Sequence, residues 1–70
     1  MNMKVQILED LSVEVEKPFA RELEEIRLHK WDELFVEKIF TYGERADIVL
    51  ENGNTLLWVP VASFSTVENK

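Results

Sequence analysis

Seventy residues with no cysteine make one domain, near the lower limit at which a core supports itself, and neither a disulfide nor a thiolate metal site can staple it. Fourteen acidic against eight basic side chains leave a formal charge of −6, which disfavours phosphate chains and anionic bilayers and so sets aside direct nucleic-acid and membrane partners. No signal-peptide pattern and no membrane-length apolar run is present, and the expected compartment is the cytoplasm.

From Met3 the chain alternates as a strand does. Met3, Val5 and Ile7 face one way against Lys4 and Gln6, and Leu11, Val13 and Val15 repeat the pattern against Ser12, Glu14 and Glu16. Glu9-Asp10 between them fits a tight turn, so the two runs are expected to form a hairpin; one long bulged strand is the other reading. Pro18 then suits the first turn of a helix, followed by Glu22, Glu24 and Glu25 near its positive end and by Arg27, His29 and Lys30 later. Phe19, Leu23, Ile26, Trp31 and Leu34 share one side at helical spacing and would form its core face. Continuing that helix through Tyr42 would place apolar side chains all round it, so residues 35–42, rich in β-branched and aromatic types, are expected to be a strand.

The clearest local signal lies between Ala46 and Val67. Two β-rich runs meet at Asn52-Gly53, a pair suited to the positive φ angles of a type I′ hairpin turn. Pro60 ends or bends the second run, Val61-Ala62-Ser63-Phe64 fits one tight turn, and Ser65 to Val67 a last short strand. This succession of strand, Asn-Gly, strand, Val-Pro-x-x-x-Phe and strand resembles the closing half of SH3-like and Sm-like small barrels over about the last third of the chain. Such a likeness concerns fold alone and assigns no functional residue. The expected class is therefore α+β: one helix on a strongly twisted antiparallel sheet of about five strands, partly barrel-like. Met1-Asn2 and Glu68-Asn69-Lys70 read as fraying ends.

Chemistry is sparse. Ser12, Ser63 and Ser65 lack a Gly-x-Ser-x-Gly context, and His29 is the one imidazole, placed a helical turn after Glu25 in this reading. The pairs Glu9-Asp10, Glu24-Glu25 and Asp32-Glu33 follow no calcium-loop pattern, and Gly43 and Gly53 belong to no phosphate-binding loop. No catalytic residue, metal or cofactor is expected. Two features remain: acidic residues crowd the first third of the chain, and the aromatics exceed what one small core encloses. Together they point to a non-enzymatic module that regulates or inhibits a larger protein, with homodimerisation expected from the apolar surplus. Inhibitors carried by mobile elements are one such class. Trp58, Phe40 and Leu56 are the expected anchors, and Glu14, Glu16, Glu22, Glu24 and Glu25 the steering charges. The alternative is a nucleic-acid mimic whose carboxylates fill a basic groove, and the third reading is a small enzyme or ligand-binding fold around His29.

Overall fold

The computed structural model describes residues 3–68, so the expected fraying at Met1-Asn2 and at Asn69-Lys70 lies outside the described residues, while Glu68, also expected to fray, is instead paired in a strand opposite Met3. Seven strands form one antiparallel sheet: β1 (Met3–Ile7), β2 (Leu11–Glu16), β3 (Glu24–Leu28), β4 (Glu33–Tyr42), β5 (Arg45–Leu50), β6 (Thr55–Pro60) and β7 (Phe64–Glu68). Their spatial order is β3-β2-β6-β5-β4-β1-β7. A single 3-10 turn, Val61–Ser63, joins β6 to β7.

The expected α+β class is thereby corrected: among the described residues there is no α-helix. The stretch read as a helix folds as a loop, β3 and a β-turn. Pro18 sits in a turn closed by the Ala20 N–H donating to the Lys17 carbonyl at 3.3 Å, with Phe19 following at φ 66°. Proline's fixed φ serves the second position of such a turn as well as a helix start. The supposed helical core face dissolves accordingly, since Phe19, Leu23 and Trp31 are exposed. In β3 it is Ile26 and Leu28 that turn inward, at strand spacing.

β1 and β2 do not pair with each other as the expected hairpin would. β1 lies between β4 and β7, and β2 between β3 and β6. The Asn52-Gly53 hairpin is present, joining β5 to β6, but with a different turn. The Gly53 N–H donates to Leu50 at 3.0 Å and Leu50 to Asn54 at 2.8 Å, and Gly53 alone in this loop takes a positive φ, 93°. That is a three-residue loop ending in a glycine bulge rather than a two-residue type I′ turn.

The sheet covers its own face by curling. Val5, Ile7, Val13, Val15, Leu28, Val36, Ile48, Leu56 and Val59 join in one buried cluster although they come from six strands, with Phe64 packed against it. A flat sheet is about 10 Å thick, whereas the shortest extent of this molecule is 23 Å. Bulges supply the bend: the register shifts between Val36 and Lys38 in β4, and between Ala46 and Ile48 where β5 meets β6. Every fully buried large side chain is aliphatic except Ser63, whose hydroxyl donates to the Pro60 carbonyl at 2.6 Å and so closes the 3-10 turn. Among the described residues no helix is long and apolar enough to cross a membrane.

Candidate functional site

With an aliphatic core, the aromatic residues are left outside. Of seven, six are exposed: Phe19, Trp31, Phe35, Phe40, Tyr42 and Trp58. Among the described residues, the three non-glycine residues with positive φ, Phe19 (66°), Trp31 (76°) and Trp58 (57°), all belong to this set. A left-handed residue with a Cβ costs roughly 1–2 kcal/mol, and positions of this kind gather where a backbone is held for function.

Each is pinned by identifiable bonds. Trp31 occupies the third position of the turn His29–Asp32, closed by the Asp32 N–H on the His29 carbonyl at 3.0 Å; its own N–H donates to Ile7 at 2.6 Å. The Asp32 carboxylate accepts the His29 N–H at 2.9 Å, Asp10 accepts that of Lys30 at 2.8 Å, and the Lys30 ammonium lies 5.0 Å from the Trp31 ring centre. His29 thus faces Asp32 across a turn, its Nδ1 3.7 Å from the carboxylate, rather than Glu25 along a helix.

Trp58 is the more unusual case because it lies within a strand. Ala46 pairs with Val59 and Ile48 with Leu56, so Leu57 and Trp58 together oppose Asp47. The Asp47 carboxylate accepts the Trp58 N–H at 3.0 Å. This bulge breaks the alternation and turns both Leu57 and Trp58 to the outer face. Leu56, expected as a partner anchor, is instead wholly buried in the core, and Leu57 takes the outward place.

Register then assembles a row across five strands. Glu25 of β3 faces Glu14 of β2, Glu14 faces Leu57 of β6, Asp47 of β5 holds Trp58, and Asp47 pairs with Phe40 of β4. At about 4.8 Å per strand, the backbones of Phe40 and Trp58 lie about 10 Å apart on one surface. A groove beside them is lined by Ser12, Glu14, Glu25, Arg45, Leu57 and Trp58. Two glutamates directly opposite on neighbouring strands repel each other. Glu16 adjoins the row opposite Thr55. Glu24, facing Val15, is turned the other way and pairs with Lys17, and Glu22 precedes β3 in the loop; neither joins the row.

Asp47, Leu57 and the turn-borne Phe19 and Trp31 are not among the partner-binding residues expected from sequence, which put Phe19 and Trp31 on a helical core face. Pro18-Phe19 carries a turn signature that could have flagged one of them; the bulge at Trp58 depends on partner strands and leaves no local mark. No group of three or more metal-ligating side chains gathers among the described residues. No family model matches the chain, and comparison with curated proteins and with solved structures gives no match either.

Proposed function

We propose that this chain is a non-enzymatic protein-binding module that regulates or inhibits a partner by occupying its surface through the outer face of β2, β6, β5 and β4. Phe40, Leu57 and Trp58 are the apolar anchors, and Glu14, Glu16 and Glu25 meet basic side chains of the partner. The observation that carries this reading is the exclusion of six aromatics from an aliphatic core, one of them held outward at a left-handed position within a strand. Exposed apolar patches mark interaction surfaces, and Trp, Tyr and Arg are enriched among the residues that dominate binding energy. An arginine or lysine beside an apolar residue is the complementary chemistry, because the indole face and the paired carboxylates both attract a cation. Cysteine-free composition is in keeping with work in the reducing cytoplasm.

Replacing Phe40 with a photoreactive benzoyl-phenylalanine tests the reading in host cells. Cross-links to a defined protein from Phe40, absent when the same probe stands at exposed Asn52, support it; none at Phe40, or the same products from both sites, overturns it. Cross-links to a second copy would make that partner this chain itself, the homodimer expected from composition. A nucleic-acid mimic remains a second reading, favoured by the facing Glu14 and Glu25 carboxylates. Its affinity for a basic groove would collapse between low and moderate salt, whereas an interface anchored by aromatics would change little.

A further inference from the structure

Among the described residues the curled sheet does not close: β3 and β7 end it without pairing to each other. The two edges differ in chemistry. β3 reads Glu-Glu-Ile-Arg-Leu, and edge charges of that kind discourage an added strand. β7 presents Phe64-Ser65-Thr66-Val67 with no charge before Glu68, and no proline or bulge.

Hydrogen-bond alternation identifies what the β7 edge offers. The Leu8 N–H donates to the Ser63 carbonyl at 2.8 Å while Ile7 faces Phe64, so Ile7–Phe64 is a non-hydrogen-bonded pair of the β1–β7 ladder. In an antiparallel ladder such pairs alternate. Ser65 and Val67 therefore bond to β1, and the N–H and C=O groups of Phe64 and Thr66 point away from it. Beside that edge runs a mainly apolar groove, lined by Met3, Ile39, Val61 and Phe64 together with the hydroxyl-bearing Thr41, Ser65 and Thr66. Its Ile39 lies past the Val36/Lys38 bulge of β4, in the part of that strand that pairs with β5, and is partly buried against the core.

We infer that β7 receives an extended segment of a partner protein as an eighth strand, bonded to the backbone of Phe64 and Thr66 and inserting apolar side chains over Ile39. An added strand places every second side chain on the face shared by Phe64 and Thr66, directly over the groove. The occupant is a neutral or basic segment rather than a second copy, because two chains of charge −6 repel and the edge of β7 is too short to offset that. This site is separate from the face that carries Phe40 and Trp58.

Random linear peptides displayed on phage and selected against the full chain, followed by synthesis of those enriched, provide the test. Enriched peptides should alternate apolar residues with neutral or basic ones, shift the amide resonances of Phe64 and Thr66, and leave those of Phe40 and Trp58 in place. Thr66→Pro removes an outward N–H without touching a β1 bond, and should weaken binding by about tenfold, the equivalent of one lost backbone hydrogen bond at the upper end of its usual worth. Methylating alternate peptide amides should cost as much, and methylating the others little, a readout independent of how the variant folds. No enrichment, or shifts confined to Phe40 and Trp58, overturns the proposal. Concentration-dependent shifts at β7 without peptide would assign the edge to a second copy and overturn the stated occupant.

Discussion

Three aromatic side chains stand where turns and bulges ordinarily take glycine, and the energetic consequence can be tested at each. For Phe19, fully exposed at φ 66°, glycine would recover roughly 1–2 kcal/mol of left-handed strain and lose about 0.4–1 kcal/mol to the freer unfolded chain. Phe19→Gly should therefore raise stability by about 0.5–1 kcal/mol in urea unfolding; a loss of stability would show that the ring makes a contact the structure does not contain. Asp47→Ala removes the acceptor of the Trp58 N–H and should cost about 0.5–1.5 kcal/mol, visible by the same method. The residue scale is also where sequence reading failed most sharply. Strict alternation in Leu56-Leu57-Trp58-Val59 pairs Leu56 with Trp58, but the bulge opposite Asp47 buries Leu56 with Val59 and turns Leu57 out with Trp58. A bulge is set by the partner strand, so no property of these four residues announces it.

Among the elements, β1, β2, β5 and β6 were legible because each alternates or abuts a strong turn. The segment from Pro18 to Leu34 was not. Leu, Glu and Arg are good helix formers, and their charge order suits a helix, yet such propensities amount to tenths of a kcal/mol per residue. Pairing the whole of β3 along β2, from Leu11–Leu28 to Val15–Glu24, outweighs that preference. The facing of Glu14 and Glu25 carries its own prediction. Glu25→Lys turns a repulsive cross-strand pair into an attractive one and should raise stability by about 0.5 kcal/mol; under the proposed function it should also weaken partner binding. Gain of stability with unchanged binding would remove Glu25 from the interface. At the β5–β6 hairpin, Gly53→Ala should lose at least about 1 kcal/mol, since φ is 93° and the new methyl would sit 3.1 Å from the Pro18 ring.

At the scale of the whole molecule, a curled sheet with an all-aliphatic core explains why a chain this short carries aromatics it does not bury. Curling encloses a narrow space that Val, Ile and Leu fill, and six of the seven rings are left exposed. That separation was partly visible in composition, as a surplus of aromatics over what a small core holds; which rings lie outside required the register. Salt should act mainly on the association rate, because exposed glutamates steer encounter while apolar anchors set the lifetime of the complex. The most direct measurement is the affinity, for the protein cross-linked through Phe40, of the unaltered chain and of the Phe40→Ser/Trp58→Gly double variant, with folding of both checked by circular dichroism. The account predicts that the folded double variant binds at least about 100-fold more weakly, as for two interface anchors of about 2 kcal/mol each, allowing for incomplete additivity. Equal affinity would contradict it.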